Sequence, residues 1–530
     1  MQTGHLAFLL HAHLPFVRHP KYEDFLEEEW LFEAIAETYL PLLKVFLRLA
    51  EEEIPFRMTM TITPTLCAML RDQLLQRRAV RYLERGIVIS HKEIERTSGN
   101  HLLQELARFY LAKFSEAHKL YVDKLKCDLL GAFSSLERAG HLELITSAAT
   151  HGFLPLMENF PEAMRAQISI GVDYHTECFG RHPTGIWLPE CGYVPSVDKF
   201  LVENNLRWFI VDTHGVSNAT PRPRFAIFSP YYTPSGPACF ARDRESSKQV
   251  WSAREGYPGD PTYRDFYRDI GYDLPEEILS DYFHTGGQRY TGIKYYSITG
   301  NSLKKNLYCR ALAMEAANAH AQNFMETRVR QMEQLCSCLP ITPIVVSPFD
   351  AELFGHWWFE GPEFLDSFLR KSAFDQARYC LSTPTEYLAL HATLQVLTPA
   401  PSSWGHKGYW QFWLDRSNAW IYPHLHTATR RMIETAQRFK QENTSAHEER
   451  TLRQMARELL LAQSSDWAFL IKAGTACNYA TRRTRDHLLR FTQLYENLKS
   501  GYHDSVFLQE CEDYNNLFPQ VNWRYYLEKS

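Results

Sequence analysis

Short apolar runs recur along the first 350 residues, and each run ends in residues that can do chemistry. The run at 185–188 leads to Glu190, the run at 208–211 to Asp212, and the run at 341–346 to Asp350. Buried parallel strands have this continuous apolar character, and in barrels the reactive groups collect at the carboxyl ends of the strands. The pattern therefore predicts buried parallel strands at residues 5–10, 56–62, 142–145, 185–188, 208–211 and 341–346.

Helical patterns lie between and after these runs. Apolar residues from Leu102 to Leu125 make one stripe at helical spacing, and the alternation of strands and helices indicates an α/β barrel. Beyond about residue 400 the strand pattern stops. Positions 452–460 and 488–498 then have helical spacing, with Gly501 as a stop signal.

This change of pattern divides the chain into two domains. Residues 1–400 are expected to form the barrel, with a helical insertion at about 66–130, and residues 401–530 a C-terminal helical domain. Residues 217–265 contain seven prolines among glycines and charged residues. That composition predicts a long, loop-rich excursion over one face of the barrel.

Composition narrows the classes of ligand and compartment. Aromatic residues make up 14% of the chain, which fits a groove for flat amphipathic ligands such as sugars. The net charge is −5 without a basic stripe, so neither nucleic acid nor a membrane is an expected partner. The 11 cysteines are scattered, residues 1–16 lack a basic leader, and no run of 18 apolar residues exists. A reduced, cytoplasmic protein is expected.

Two strand-end segments place carboxylates among aromatic residues. At residues 185–193, a proline before Glu190 and a glycine two residues after it aim this side chain. Asp350 and Glu352 follow the last predicted strand, and His-Trp-Trp comes next at 356–358. Either is a candidate second carboxylate, and Asp350 is nearer the strand end. Paired carboxyls suit acid/base or nucleophilic chemistry on sugars, although a surface ion pair at Glu190 and a helix cap at Asp350 are the plainer interpretations.

A metal centre is the alternative chemistry. His11 and His13 are two residues apart at the end of the first predicted strand, and with His151, Asp212 and His214 they could form a zinc site. The simpler interpretation is that one histidine binds substrate and the other is structural, and the two carboxylate segments favour it. Phosphate-loop, dinucleotide-binding, H-E-x-x-H and G-x-S-x-G motifs are all missing from the sequence.

Five separated motifs make the chain strongly resemble glycoside hydrolase family 57, and within it the 1,4-alpha-glucan branching enzymes. Together they span residues 11 to about 469, and their order is specific to the family. They are residues 11–15 (His-Ala-His-Leu-Pro), 140–152 (Gly-His-Leu-Glu-Leu through His-Gly), 187–190 (Trp-Leu-Pro-Glu), 347–352 (Ser-Pro-Phe-Asp-Ala-Glu) and 464–467 (Ser-Ser-Asp-Trp).

The resemblance implies a distorted (β/α)7 barrel with helical insertions and a C-terminal helical domain that contributes to the substrate groove. It implies that Glu190 is the nucleophile and Asp350 the general acid/base of a retaining reaction on α-1,4-glucan. No metal or cofactor is implied, and a monomer is expected. The residues expected to bind substrate are His11, His13, Trp30, His151, Trp187, Asp212, Arg264, Tyr272, Trp404, Trp413 and Asp466.

Two departures from the family pattern bear on the reaction outcome. Tyr272 stands where branching members often carry a tryptophan. The stretch at 230–243, with Tyr231 and Tyr232, is shorter than the mobile tyrosine-bearing loop of those members. A short loop admits water, which favours hydrolysis over transfer. An α-amylase or 4-α-glucanotransferase is therefore the second hypothesis, followed by a metal-dependent hydrolase or deacetylase and by a glucan-binding protein without catalysis.

Overall fold

A parallel sheet forms the centre of the computed structural model, which describes residues 4–251, 255–283, 288–300, 304–440 and 444–528. Nine strands occur within these residues. They are β1 (Gly4–Ala12), β2 (Met58–Ile62), β3 (Leu142–Ser147), β4 (Gly185–Trp187), β5 (Trp208–Val211), β6 (Tyr231–Tyr232), β7 (Ala238–Ala241), β8 (Ile344–Asp350) and β9 (Tyr379–Leu381).

Seven of these strands run parallel in the order β8-β1-β2-β3-β4-β5-β7. The sheet curls so far that its ends meet, because the Asp243 amide after β7 donates to the Val346 carbonyl of β8 at 2.8 Å. β6 pairs antiparallel with β7, and β9 pairs with the start of β1. The expected distorted (β/α)7 barrel is confirmed.

Alternate residues of each strand enter two different cores, which explains the continuous apolar runs. In β1, Leu6, Phe8 and Leu10 pack in the large core that includes the surrounding helices. Ala7 and Leu9 face a smaller cluster that fills the barrel interior. A strand buried on both faces has no polar face to alternate with the apolar one.

The six predicted strands are confirmed as β1, β2, β3, β4, β5 and β8, but the interpretation of residues 217–265 as a loop-rich excursion needs correction. This stretch contains the barrel strand β7 and the short strand β6. β7 is only four residues long (Ala-Cys-Phe-Ala), and prolines precede it closely. A four-residue run next to prolines is too short to show the pattern of a strand, so sequence analysis does not predict it.

The register also locates Tyr231 and Tyr232, the two tyrosines of the short stretch at 230–243. Tyr231 and Tyr232 pair with Cys239 and Ala238, at the start of β7. The catalytic edge of a parallel barrel lies at the other end of its strands. Neither tyrosine therefore lies over the carboxylates, and the Tyr231 hydroxyl donates instead to the Ala226 carbonyl at 2.7 Å.

Fifteen helices of the described residues precede residue 400, and most of them surround the barrel. The inserted helices lie between β2 and β3, and the side chain of Asp72 caps the longest of them by accepting from the Leu74 and Leu75 amides. The fifteen are α1 (Glu29–Ala34), α2 (Leu40–Glu51), α3 (Pro64–Arg71), α4 (Gln73–Arg96), α5 (His101–His118), α6 (Leu129–Arg138), α7 (Pro161–Phe179), α8 (Asp198–Glu203), α9 (Thr213–Ser217), α10 (Arg244–Trp251), α11 (Ile270–Asp273), α12 (Glu276–Tyr282), α13 (Arg310–Cys338), α14 (Gly361–Phe374) and α15 (Pro384–Leu390).

The chain after residue 400 begins with an irregular segment and continues as helices. Both helical patterns predicted there are confirmed, and Gly501 ends the second helix in a left-handed conformation, with φ 72°. Among the described residues, no helix has the length and apolar character needed to cross a membrane. The helices are α16 (Ile421–Phe439), α17 (Ala446–Ala462), α18 (Ser465–Ala473), α19 (Cys477–Ser500) and α20 (Ser505–Tyr514).

Gly355 offers a test of how tightly the segment after β8 is packed. Its φ is +117°, and a Cβ there would lie 1.8 Å from the Glu37 carbonyl oxygen. Gly355→Ala is expected to lower the free energy of unfolding by about 3 kcal/mol or more, because strain and overlap add. The matched control is Gly180→Ala, because Gly180 has a φ of +67° and open space around it. This substitution is expected to lower the free energy of unfolding by about 1 kcal/mol. Equal melting temperatures of the two variants would contradict the packing described.

Candidate active site

The carboxyl ends of the barrel strands open into a cleft of about 490 Å³. Register places the ends together, since His11 of β1 lies beside Asp350 of β8. The cleft is lined by His11, His13, Leu14, His151, Glu190, Arg242, Trp251, Asp350, Glu352, Trp357, Trp404, Gly405, His406, Phe412, Trp413, Asp466 and Phe469.

Glu190 is held in a strained turn directly after β4. Its φ is 60° and that of Cys191 is 49°, a left-handed conformation that is costly for residues with a side chain. The Cys191 amide closes the turn on the Leu188 carbonyl at 2.8 Å, and the Trp404 amide donates to the Glu190 carbonyl at 3.0 Å. Strain maintained by surrounding contacts is a frequent property of functional sites.

Both carboxylate oxygens of Glu190 accept a hydrogen bond. The Trp404 indole N–H donates to Oε2 at 2.8 Å, and the Ser465 hydroxyl donates to Oε1 at 3.0 Å. Burial raises the pKa of Glu190, while these two donors oppose the rise. Donors on both oxygens stabilise the ionised form, which is the form that a nucleophile needs.

The pKa of Asp350 is raised further than that of Glu190. It ends β8 and lines the same cleft as Glu190. Burial, followed by the negative charges of Glu352 and Glu190, raises the pKa of Asp350 well above its usual range. A carboxyl that keeps its proton at neutral pH is suited to general acid catalysis.

Glu352 is the less suitable second carboxylate. Its Oε1 accepts from the His13 amide at 3.2 Å and from the Tyr39 hydroxyl, and its side chain is buried. Burial raises the pKa of Glu352 to about 7. Of the two candidates, the geometry favours Asp350 as the acid and makes Glu352 a neighbour whose Oε1 is held by the His13 amide and the Tyr39 hydroxyl.

Three histidines and Asp466 form the wall between the two carboxyls. His13 stacks on His151 with ring centroids 3.8 Å apart, and the His11 and His151 Nε2 atoms are 3.0 Å apart. The Nε2 atom of His13 lies 3.1 Å from an oxygen of Asp466. Burial lowers the pKa of His13, but Asp466, Glu190 and Glu352 together outweigh burial and the pKa is raised overall. Burial holds the pKa values of His11 and His151 well below normal, so of these three histidines His13 is the one whose surroundings favour the imidazolium.

The residues of the alternative metal site are split between two places. Asp212 and His214 bond to each other at 3.2 Å, and His214 Nε2 lies 2.8 Å from the Gly408 carbonyl oxygen. Neither lines the cleft that holds His11 and His13. Within the described ranges, no three histidine, cysteine or acidic side chains stand in metal-ligating positions.

Several residues expected to bind substrate lie elsewhere. Trp30 packs against Tyr479, 5.7 Å between ring centroids, outside the cleft lining. Tyr272 is 42% exposed on α11 and also lies outside the lining. Arg264 is buried, with its guanidinium 3.2 Å from Glu37, so its placement does not support the expected substrate contact. In a short segment the apolar residues do not recur often enough to show which side chains face the cleft, so such positions cannot be located from the sequence.

The other expected binding residues do surround the cleft. Trp187 lies fully buried beneath His11, with ring centroids 4.6 Å apart and planes 12° apart. Asp212 bonds to Arg242, which lines the cleft, at 3.2 Å. Trp413 stacks on Phe153 at 4.3 Å, so only its edge reaches the cleft.

Sequence patterns missed several cleft residues. Arg242 directly follows the unpredicted strand β7, and Trp251 ends the helix after it. Ser465 belongs to the Ser-Ser-Asp-Trp motif, but nothing in the sequence indicates that its hydroxyl contacts Glu190. Phe412 and Phe469 belong to two different segments that meet only in the folded chain, whereas Trp357 belongs to the His-Trp-Trp run at 356–358 already noted in the sequence.

A parallel α/β barrel with paired carboxyls in an aromatic cleft defines an enzyme that processes glycosidic bonds. Residues 7–398 match glycosyl hydrolase family 57, and residues 424–526 match the C-terminal region of 1,4-alpha-glucan branching enzymes. The chain therefore belongs to glycosyl hydrolase family 57.

Relatives include both branching and hydrolytic enzymes. The 1,4-alpha-glucan branching enzyme TK1436 of Thermococcus kodakarensis is 35% identical over 98% of this chain and 78% of its own length. The alpha-amylase AmyC of Thermotoga maritima superimposes with a TM-score of 0.93 at 43% identity, covering 100% of both chains. The family 57 branching enzyme of Pyrococcus horikoshii gives a TM-score of 0.88 at 33% identity, covering 99% of this chain and 97% of the other.

Removing one donor from Glu190 should weaken catalysis measurably. Trp404→Phe and Ser465→Ala each delete a hydrogen bond to a charged group, worth about 1.5–3 kcal/mol, so kcat/KM should fall about 10- to 100-fold. Because each donor lowers the pKa of Glu190, its loss should move the acidic limb of the pH–rate profile to higher pH.

The control for this prediction is Trp251→Phe. Trp251 meets Trp404 edge-on at 6.0 Å and also lines the cleft, but it is not among the groups that donate to Glu190. Its acidic limb should stay in place. An unchanged limb in Trp404→Phe and Ser465→Ala would show that Glu190 need not be ionised.

Glu352→Gln tests the division of roles between the two neighbouring carboxyls. Activity that needs protonated Asp350 is lost as pH rises through its pKa. Glu352 raises that pKa, so the variant's alkaline limb should move to lower pH. At pH 6 the loss should stay below about tenfold, since an amide oxygen still accepts both hydrogen bonds.

Glu360→Gln is the matched control, because Glu360 is equally buried but does not line the cleft. Its alkaline limb should not move. If Glu352→Gln instead abolishes activity at every pH while Asp350→Asn retains it, Glu352 is the general acid.

Proposed function

We propose that this protein is a 1,4-alpha-glucan branching enzyme, which cleaves α-1,4-glucan and transfers the chain to a 6-hydroxyl. The observation that carries the proposal is the pair of unlike carboxyls in one cleft, Glu190 with two donors and Asp350 with a raised pKa. The similarity to the Thermococcus kodakarensis branching enzyme and the match at residues 424–526 support the choice of acceptor.

The proposed reaction has two displacements. Asp350 donates its proton to the glycosidic oxygen while Glu190 attacks the anomeric carbon, which inverts its configuration in a covalent glucosyl-enzyme. Asp350, now ionised, takes the proton of an acceptor 6-hydroxyl. That oxygen attacks the anomeric carbon and releases Glu190, and the second inversion restores the α configuration.

The protonated form of His13 assists both steps in this proposal. It lies between Glu190, Glu352 and Asp466, whose charges favour its imidazolium. One positive charge offsets the crowding of carboxylates in the cleft, so Glu190 can ionise while Asp350 remains protonated.

Aromatic side chains supply the glucan-binding surface. Trp251, Trp357, Trp404, Phe412 and Phe469 line the cleft around the carboxyls, and sugar C–H faces stack on such rings. Three of these five come from residues after 400. This supports the proposal that the C-terminal region, from residue 401, forms part of the substrate groove.

The second candidate is an α-amylase. The 43% identity and TM-score of 0.93 to AmyC favour it, and Tyr231 and Tyr232 lie at the wrong end of β7 to cover the cleft. Both activities share the glucosyl-enzyme, and they differ only in whether water or a sugar hydroxyl reaches it.

The cellular setting is also a proposal. We infer a cytoplasmic monomer that acts in glycogen biosynthesis without a cofactor. All eleven cysteines are free in the structure, which supports a reducing compartment.

Incubation with amylose separates the two activities. We expect α-1,6 anomeric proton signals to appear by NMR while reducing ends rise much less. Rising reducing ends without α-1,6 signals would identify an amylase. Glu190→Gln should abolish both signals, with a loss of about 10⁴-fold or more for a missing nucleophile. The control Glu203→Gln, on the distant helix α8, should retain wild-type activity.

A further inference from the structure

A second cavity, of about 230 Å³, lies between α2, α5 and the start of α14 and shares no lining residue with the catalytic cleft. We call it the α5 pocket. Its floor is apolar and includes Leu40, Val45 and Phe109. Its charged lining consists of Lys44, Arg48, Lys113 and Arg310, with Glu116 and Glu363 opposite.

Three cations surround the ring of Phe359, and two of them, Lys113 and Arg310, line this pocket. The Phe359 ring centroid is 3.8 Å from the Arg264 guanidinium, 4.0 Å from the Lys113 ammonium and 5.7 Å from the Arg310 guanidinium. A ring face attracts each cation but does not remove the repulsion among them. Such a cluster needs anions beside it.

Two of the three cations have carboxylates and the third has none. Arg264 pairs with Glu37 at 3.2 Å, and Arg310 pairs with Glu363. In the part of the chain that is described, Lys113 has no carboxylate within 4.0 Å. The pKa of Lys113 is lowered to about 8. Burial is the largest cause, Arg264 and Arg310 act in the same direction, and the charges of Glu363 and Glu37 oppose them.

The remaining lining does not neutralise this charge. Glu116 is already paired with Lys44 at 2.6 Å, and Arg48 with Asp366 at 2.8 Å. Two long helices also begin at the pocket, α13 at Arg310 and α14 at Gly361. Helix N-termini add positive potential of the kind that binds phosphate.

We propose that the α5 pocket is a binding site for a small organic phosphate, whose phosphate group contacts Lys113 and whose carbon skeleton lies on the apolar floor. A phosphate supplies the anionic partner that Lys113 lacks among the described residues. The cavity volume exceeds that of a bare phosphate, and the floor of Leu40, Val45 and Phe109 gives a carbon skeleton its contact.

The pocket shares a structural element with the catalytic cleft. Ala36 and Leu40 line it. Ala36 belongs to the π-helical turn Ile35–Tyr39, and Leu40 directly follows that turn. Tyr39 of this turn donates to Glu352. π-Helical turns occur often at functional sites, and this one connects the wall of the pocket to the group beside Asp350.

Isothermal titration calorimetry with glycerol 3-phosphate tests the proposal on the full-length protein. Wild type should bind, and Lys113→Met should bind about tenfold or more weakly, because a charge-assisted hydrogen bond is lost. Lys199→Met is the matched control, since Lys199 also lies over a ring, Phe200 at 4.7 Å, away from the pocket. It should bind like wild type, and Lys113→Arg should retain binding.

Two results would overturn the proposal. One is equal affinity of wild type and Lys113→Met, and the other is no binding heat up to about 10 mM. Inorganic phosphate that binds as tightly as glycerol 3-phosphate would overturn the role of the apolar floor. None of these measurements involves glucan turnover, so their failure leaves the proposed branching activity untouched.

Discussion

The turn that carries Glu190 is the constraint on which the site depends. Its left-handed backbone is unfavourable by itself, and it is maintained by contacts from a segment more than 200 residues later. Trp404 supplies both a backbone and a side-chain hydrogen bond to this one residue. The segment after residue 400 is thus bonded to the barrel at the residue proposed as the nucleophile. Strain of this kind persists only when the surrounding structure over-determines it.

The ionisation states of the carboxyls in the cleft depend on the contacts that the fold gives each of them. Glu190, Asp350 and Glu352 share one enclosed space, and neighbouring carboxyls cannot all ionise without large cost. Hydrogen-bond donors help to decide which of the three carboxyls is ionised and which keeps its proton. Two donors favour the ionised form of Glu190. At Asp350, burial and the charges of Glu352 and Glu190 outweigh those of His13 and Arg242 and favour the protonated form. The imidazolium of His13, favoured by Asp466, offsets part of the negative charge. Glu190 and Asp350 are both carboxylic acids, and their different proposed roles therefore follow from the groups that surround each of them.

The choice between transfer and hydrolysis is a matter of access. The covalent intermediate is common to both outcomes, so the loops and aromatic rings around the cleft decide which nucleophile arrives. Trp251 and Trp357 stand at this rim, on segments that follow β7 and β8. The chain is similar both to a branching enzyme, at 35% identity, and to an amylase, at 43% identity.

The sequence by itself determined the barrel, six of its strands and the C-terminal helices, and it singled out Glu190 and Asp350 as candidate catalytic residues. Apolar runs with polar ends and helical spacing are local properties, and they can be read along the chain. Only the tertiary structure placed β7, moved Tyr231 and Tyr232 away from the site, and brought Ser465 and Trp404 onto Glu190. It also removed Trp30, Tyr272 and Arg264 from the cleft. Contacts between segments hundreds of residues apart depend on register and curvature of the sheet, which no local pattern encodes.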